Sequence, residues 1–297
     1  MRPVRAGVID VGSNTVRLLV GAPAEGGVEA VVSEREFAGL AAEIERTGAI
    51  SSDKLAEVGR IAARYAALAG EHGADRLEVI VTAPGRYAAN AAELRQMLAW
   101  AAGVPVRQLS AEDEGRLAYA GAVGACSSVP DTIAVVDAGG GSTQVMVGTE
   151  REPVWLRGLD LGSLRLTERF LRSDPPTVDE LAAVSSMVED AVGALTPPLP
   201  LSALATGGTA RTLRRLVGRR LTEPSLREAL AILIAHPAAH VADEYAIPPE
   251  RARVLAAGTI VLRAARRRLN VELEVAKGGV REGAVLGLIG DIAEAAA

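Results

Sequence analysis

The sequence predicts an α/β fold composed of two similar halves, and three observations support this prediction. Short β-rich segments alternate with segments whose apolar residues recur at helical spacing. The order of these segments restarts near residue 130. A chain of 297 residues, 49% of them apolar, is also long enough to form two domains, each with its own core.

The first half is predicted to begin with a β-hairpin. Residues 6–10 and 15–21 are β-rich, and a turn sequence over residues 11–14 separates them. A third strand is expected over residues 29–34. The pattern then predicts helices over residues 53–71, 88–102 and 110–120, and strands over residues 77–81 and 104–109.

The second half repeats this order and begins with another hairpin. Residues 132–136 lead into Asp137 and a glycine-rich turn, and residues 145–147 follow as the returning strand. An offset of 127 residues aligns Asp10 with Asp137 and keeps strand, aspartate, turn and hydroxyl in step. The alternative is a chance agreement, because glycine turns between strands are common.

The remaining segments complete the second half. We predict strands over residues 154–159, 201–205 and 273–276, helices over 178–194 and 209–220, helical segments within 225–268, and a last helix from Arg281. Serine and proline interrupt the pattern at residues 126–130. We therefore expect domains over residues 1–126 and 127–297, with the last helix able to pack back on the first domain.

The composition argues against several classes of protein. A net charge of −5 and an aromatic content of 3% are unlike a base-stacking nucleic-acid surface. The single cysteine, Cys126, forms no internal disulfide, and with three scattered histidines it offers no zinc site. No apolar stretch reaches the roughly 20 residues of a membrane span, and the first five residues lead directly into a strand. We expect a cytoplasmic protein without nucleic-acid or membrane partners.

The two hairpin turns have the composition of anion-binding loops. Glycine and serine at a strand end expose successive backbone N–H groups to an anion. A single turn of this kind is most often structural, but two in the same register, each after an aspartate, favour a phosphate site. Asp10 and Asp137 would repel phosphate unless a hard cation accompanied it. The pair therefore predicts a magnesium ion held largely through water.

Several segments resemble motifs of known families. The runs VIDVGSNTVRLLV and VVDAGGGSTQVMVG, residues 8–20 and 135–148, resemble the two phosphate motifs of the actin, Hsp70 and sugar-kinase superfamily. Further segments resemble the exopolyphosphatase and guanosine pentaphosphate phosphohydrolase family, and GLDLGSLRLTERFL is the most family-specific of them. These segments are residues 109–122, 158–171, 174–177, 205–213 and 278–283.

This resemblance implies two ribonuclease-H-like domains with an interdomain cleft. It implies magnesium-dependent hydrolysis of a terminal phosphate from inorganic polyphosphate or guanosine pentaphosphate, and the sequence does not separate these substrates. On this resemblance the chain is expected to correspond to the short, two-domain form of the family, for which a homodimer is expected by analogy. Two other functions stay open: a sensor that binds polyphosphate or guanosine tetraphosphate, and a sugar-kinase-type phosphotransferase.

The resemblance also assigns site residues. Glu114 takes the position of the catalytic base, whereas the neighbouring Glu112 and Asp113 are explained by a capping box that starts at Ser110. Arg86 matches an arginine that faces the phosphate, and a solvated arginine is the alternative. The helix start at Gly208 suits an anion. The predicted phosphate contacts are Ser13, Asn14, Thr15, Arg86, Gly139, Gly140, Gly141, Ser142, Thr143, Gly208 and Thr209.

Two positions depart from the family pattern, and one segment is strongly basic. Gln144 stands where the family typically has glutamate, so we expect reduced activity. Lys277 replaces an aspartate, and it either strengthens anion binding or lies on the surface. Residues 201–222 contain five arginines and no acid, which indicates either a ridge that guides a polyanion or a solvated helix face. The five are Arg211, Arg214, Arg215, Arg219 and Arg220.

Overall fold

The computed structural model describes residues 3–295, which form two compact units. The first unit contains the described residues up to Ser128 together with those from Gly278 onward, and the second contains Val129–Lys277. The junction thus follows Ser128, whereas the sequence placed it after residue 126. The segment that contains the last helix groups with the first unit.

The first unit contains a five-stranded sheet. Its strands are β1 (Ala6–Val11), β2 (Thr15–Ala24), β3 (Gly27–Phe37), β4 (Arg76–Val81) and β5 (Val106–Gln108). They are arranged in the order β3-β2-β1-β4-β5, in which β1, β2 and β3 are antiparallel neighbours and β4 and β5 run parallel to β1. The order brings the carboxyl ends of β1, β4 and β5 to one edge of the sheet.

Helices cover both faces of this sheet. They are α1 (Leu40–Thr47), α2 (Ser52–Glu71), α3 (Ala83–Tyr87), α4 (Ala91–Ala102) and α5 (Ala111–Val123). Helix α2 begins where the Ser51 side chain accepts a hydrogen bond from the Lys54 N–H. It contributes Val58, Ala62 and Tyr65 to the larger core of this unit, which also includes Leu94 and Leu98 from α4.

The second unit contains a six-stranded sheet. Its strands are β6 (Ile133–Ala138), β7 (Thr143–Gly148), β8 (Pro153–Leu159), β9 (Ser202–Thr206), β10 (Arg220–Leu221) and β11 (Leu273–Val275). Their order is β10-β11-β9-β6-β7-β8. Strands β6, β7 and β8 are antiparallel neighbours, and β9 and β11 run parallel to β6.

Six helices belong to the second unit. They are α6 (Ser163–Phe170), α7 (Val178–Gly193), α8 (Gly207–Val217), α9 (Glu223–Ala235), α10 (Ala238–Glu244) and α11 (Pro249–Leu269). Helix α11 is the most buried of these, and its apolar residues Leu255, Val261 and Leu262 lie in one core with the β-strands. Among the described residues, no helix is both long and apolar enough to cross a membrane.

The last helix, α12 (Val280–Ala295), packs on α5 through backbone-to-backbone contacts. A Cβ atom at Gly278 would lie 1.9 Å from the Gly121 carbonyl oxygen, and one at Gly283 would lie 2.0 Å from the Leu117 carbonyl oxygen. Only glycine permits such close approach. The C-terminal segment therefore supports the helix that carries Glu114.

The two units share one plan, which confirms the predicted α/β fold with two ribonuclease-H-like halves. The order β3-β2-β1-β4-β5 corresponds strand by strand to β8-β7-β6-β9-β11. The turns correspond as well, because the Gly12 N–H donates to the Thr15 carbonyl at 3.1 Å and the Gly139 N–H donates to the Ser142 carbonyl at 3.0 Å. The two donors are 127 residues apart, and so are the two acceptors, which is the predicted offset.

Several predicted elements needed correction. Helices α1, α3 and α6 were not predicted, and the helix predicted over residues 88–102 begins later, at Ala91, as α4. The helix predicted over 209–220 ends earlier, because Gly218 adopts a positive φ of 83° and Arg220 belongs to β10. The helical segments predicted within residues 225–268 correspond to α9, α10 and α11.

Candidate functional site

The first turn, between β1 and β2, is held by the start of α1. The Ala38 and Gly39 N–H groups donate to the Asn14 carbonyl at 2.9 and 3.1 Å, and the Ala41 N–H donates to the Ser13 carbonyl at 2.9 Å. The side chains of Ser13, Asn14 and Thr15 are all buried. The three phosphate contacts predicted for this turn therefore lie on a fixed backbone.

Within this turn, the side chain of Asn14 provides the evidence for a bound ligand. Its side chain is only 4% exposed, and neither its amide nitrogen nor its amide oxygen has a hydrogen-bond partner among the described residues. Leaving a buried polar group unpaired costs about 1–3 kcal/mol, and such groups in native proteins call for an explanation. A bound polar molecule that hydrogen-bonds to the amide would remove this penalty.

The second turn, between β6 and β7, is held in the same way by α6. The Ser163 N–H donates to the Gly139 carbonyl at 3.0 Å, and the Leu164 N–H donates to the Gly140 carbonyl at 3.0 Å. A Cβ atom at Gly162 would lie 2.1 Å from the Gly140 carbonyl oxygen, so glycine is required there. The Thr143 hydroxyl donates to the Leu161 carbonyl and so helps to hold the turn from within.

The helix start at Gly207 lies beside the second aspartate. Gly207 has a φ of 88°, and a Cβ atom there would lie 2.6 Å from Asp137 Oδ1. A Cβ atom at Gly208 would lie 2.3 Å from Nη1 of the buried Arg251. The structure thus brings Asp137, the N-terminus of α8 and a guanidinium together. Thr209, also buried, has its side chain against Gly258 of α11.

Arg251 is a candidate site residue that sequence reasoning missed. It lies in the first turn of α11 and is 6% exposed, which is rare for an arginine. A guanidinium next to a helix N-terminus adds positive charge where the helix dipole already favours an anion. The only available signal was its position after a Pro-Pro helix start, and the many other arginines of the chain concealed it.

Glu114 differs from the two acids that precede it on α5. The capping box is confirmed, because Ser110 Oγ accepts from the Asp113 N–H at 3.0 Å and the Asp113 carboxylate accepts from the Ser110 N–H at 3.4 Å. Glu112 is exposed and pairs with Arg116 at 2.8 Å. Glu114 is instead buried, and its Oε2 lies 2.8 Å from Nη2 of Arg86.

The structure therefore brings together two residues that the resemblance had assigned separately. Arg86 Nη1 also donates to the Leu109 carbonyl at 3.0 Å, and its side chain is 14% exposed. The alternative of a solvated arginine is wrong. The pair connects the segment after β4 with the start of α5.

Gln144 is fully buried beside Asp137. The two residues are partners across β6 and β7, so their side chains lie on the same face of the sheet. Gln144 Nε2 donates to Ser142 Oγ at 3.0 Å, and Gln144 Oε1 has no hydrogen-bond partner among the described residues. The neutral amide is thus built into the second turn rather than placed on the surface.

Comparisons with known proteins identify the family. Residues 19–291 match the model of the Ppx/GppA phosphatase family. The chain belongs to this family. Exopolyphosphatase 2 of Mycobacterium tuberculosis is 31% identical over 320 residues, which cover 98% of this chain and all of the relative. Exopolyphosphatase 1 of Mycobacterium bovis is also 31% identical, over 95% of this chain and 88% of the relative.

Solved structures of Ppx/GppA proteins share the fold. The Aquifex aeolicus PPX-GPPA enzyme is 25% identical and superimposes with a TM-score of 0.81 over 96% of this chain and all of that one. An exopolyphosphatase from Cytophaga hutchinsonii gives a TM-score of 0.87 at 19% identity over 97% of this chain and 98% of that one, which is a likeness of fold. Membership in the Ppx/GppA family supports the predicted enzyme class, a phosphoanhydride hydrolase.

Two of the five arginines in the arginine-rich segment of this Ppx/GppA protein form ion pairs within their own unit. Arg219 pairs with Glu274 at 2.9 Å and Arg220 pairs with Glu272 at 2.7 Å. Arg215 Nη1 donates to the Ala246 carbonyl at 2.7 Å. These contacts favour the interpretation as a solvated face over that of a ridge of five guanidinium groups. Lys277 is exposed.

Proposed function

We propose that this chain is an exopolyphosphatase, which releases the terminal phosphate of inorganic polyphosphate. The observation that carries the proposal is the duplicated turn, closed by the same hydrogen bond in both halves and preceded each time by an aspartate. Membership in a phosphatase family and the similarity to two mycobacterial proteins named exopolyphosphatase support this choice of substrate.

Phosphate binding is assigned to backbone and cationic groups. In the second unit, the N–H groups of residues 140–142 in the turn, the N-terminus of α8 and Arg251 suit the oxygens of a phosphate. In the first unit, the unpaired amide of Asn14 offers a donor in the first turn. Groups fixed in this way stabilise developing charge without reorganisation during the reaction.

Glu114 is proposed as the group that accepts a proton from the attacking water. A carboxylate in the first turn of a helix is stabilised in its ionised form by the helix dipole. The neighbouring Arg86 favours the ionised form further. An ionised carboxylate of this kind orients a water molecule and takes its proton as the oxygen–phosphorus bond forms.

Asp10 and Asp137 are proposed to hold Mg²⁺ through water. The part of the chain that the structure describes has no group of three or more His, Cys, Asp or Glu side chains placed to hold a metal ion. Mg²⁺ usually keeps several waters and uses only one or two carboxylates, so an aspartate at a strand end fits it. When bound, the ion would neutralise charge on the phosphate oxygens.

A phosphate-release assay on the purified protein tests the proposed substrate. Malachite-green detection is applied to inorganic polyphosphate and guanosine pentaphosphate side by side, with Mg²⁺ and with excess chelator. We expect release from polyphosphate that requires Mg²⁺. Release from guanosine pentaphosphate alone would reassign the substrate, and release that is unchanged by chelator would remove the role of Asp10 and Asp137.

Gln144 supports a second candidate function, a sensor that binds polyphosphate or guanosine tetraphosphate without turnover. A buried amide occupies the position where the resemblance expects a carboxylate. Isothermal titration of both ligands separates the two functions. Tight binding without any phosphate release would favour the sensor, whereas release at a rate typical of enzymes would exclude it.

A further inference from the structure

The contacts of Arg86 differ from those expected of a phosphate ligand. Its guanidinium lies between two acceptors of the same helix start: Nη1 donates to the Leu109 carbonyl at 3.0 Å, and Nη2 lies 2.8 Å from Glu114 Oε2. Leu109 is itself fully buried, and it directly precedes the N-cap residue of α5. The backbone acceptor is therefore fixed.

These two contacts also restrict the Glu114 carboxylate. A guanidinium is planar and presents its donors in a rigid fork, so fixing one nitrogen on a buried carbonyl determines where the other lies. Both side chains of the pair are largely buried, at 14% and 9% exposure. Removing one partner of a buried ion pair leaves the other charge uncompensated, which is strongly unfavourable.

We propose that Arg86 is the positioning residue of Glu114 and holds its carboxylate in the orientation for accepting a proton, rather than binding the phosphate itself. The inference rests on the proposed function. In the reaction the water O–H bond breaks and its proton passes to Glu114. The water oxygen bonds to the terminal phosphorus, and the phosphoanhydride bond breaks with its electron pair on the leaving phosphate. In this role Arg86 contacts the Glu114 carboxylate and neither the attacking water nor the phosphate.

The kinetics of Arg86 variants test this role. Because misplacement of a catalytic group by about 1 Å reduces turnover roughly 10²-fold, we expect Arg86→Gln to lower kcat by about that factor and to change KM little. Arg86→Lys keeps the charge but loses the fork, and it should recover about tenfold of the lost kcat. A large rise in KM with kcat unchanged would show instead that Arg86 binds the substrate and would overturn the proposal.

Measuring Arg86→Gln in a Glu114 variant shows whether Arg86 acts through Glu114. Glu114→Asp withdraws the carboxylate by one methylene, so Arg86→Gln should cost much less kcat in that background than in the wild type. Equal losses in both backgrounds would contradict the proposal. Arg116→Gln is the matched control, because Arg116 pairs with Glu112 on the exposed face of the same helix and should leave kcat unchanged.

A measurement without substrate separates this inference from the proposed function. A double-mutant cycle of Arg86→Gln and Glu114→Gln on the equilibrium constant for unfolding should show a coupling of about tenfold or more. Additive effects would overturn the pairing itself. If the wild type releases no phosphate, the proposed exopolyphosphatase activity fails, and the cycle still decides whether Arg86 fixes Glu114.

Discussion

The two hairpin turns have the same backbone and different side chains. Each is closed by one hydrogen bond from the glycine two residues after the aspartate, at 3.1 Å in the first half and 3.0 Å in the second. In the first half Arg17 is the partner of Asp10 across the strands, and in the second half Gln144 is the partner of Asp137. The strand pairing thus determines the backbone shape of both turns. Their binding properties depend instead on the side chains at equivalent positions.

The halves also differ in what surrounds the turn. The second turn is rich in glycine, its aspartate lies beside the start of α8, and Arg251 lies against Gly208 of that helix. The first turn relies on side chains, and its Asn14 carries the unpaired buried amide. We infer that the second half binds an anion through backbone N–H groups and the first half through side-chain donors. The following predictions test this difference.

Gly162→Ala should have the largest effect. The new Cβ atom would lie 2.1 Å from the Gly140 carbonyl, so the second turn must shift. We expect a destabilisation of about 1–3 kcal/mol in urea unfolding and the loss of most phosphate release. Gly193→Ala is the control, because nothing lies within 4 Å of its Cβ position and it should be neutral or stabilising. Full activity of Gly162→Ala would show that the geometry of this turn is irrelevant.

Asn14→Ala should separate binding from stability. The substitution removes a buried amide that has no partner among the described residues, so unfolding free energy should stay unchanged or increase. The lost contact to the substrate should raise KM about tenfold, which corresponds to about 1.4 kcal/mol. Steady-state kinetics and urea unfolding measure the two quantities. A less stable protein with an unchanged KM would assign Asn14 a purely structural role.

Gln144→Glu should increase the difference in cation affinity between the two turns. A carboxylate beside Asp137 would increase the attraction for a cation, so the Mg²⁺ concentration for half-maximal activity should fall several-fold. Direct titration of Mg²⁺ without substrate provides a second readout. An unchanged Mg²⁺ requirement in both measurements would mean that residue 144 does not influence the cation.

Replacing Glu180, which lies in the second half, should change the stability of the protein slightly and in a pH-dependent way. Hydrogen bonds from the backbone N–H groups of Thr177, Arg172 and Ser173 hold the pKa of Glu180 at about 2, below its usual 4.5. A lowered pKa in the folded state stabilises the protein above pH 4.5, and this contribution disappears as the pH falls towards 2. Glu180→Gln should therefore be less stable than the wild type at pH 7 and equal to it near pH 2. A difference that persists at pH 2 would contradict this explanation.

The sequence predicted those features that depend on local chemistry. The capping box at Ser110 and the matching turns follow from residues close together in the chain, and both are present. Helices α1 and α6 were missed because each begins at a glycine, Gly39 and Gly162, without a side-chain cap. Strand β10 has only two residues and exists because β11 pairs with it.

The side-chain partnerships of the site required the structure. Arg86 and Glu114 were both named from the sequence, but their ion pair depends on how the segment after β4 meets the start of α5. Arg251 was missed because its burial depends on contact with Gly208, which lies on another helix. Contacts between residues distant in sequence leave no periodic signal in the chain.

Glu114 is proposed to accept the proton of the water that attacks the terminal phosphate. Phosphate release by Glu114→Gln, measured beside Glu112→Gln, tests it most directly. We expect Glu114→Gln to retain the fold and polyphosphate binding but to lose at least about 10²-fold in kcat, whereas Glu112→Gln should behave like the wild type. Unchanged turnover by Glu114→Gln would contradict it.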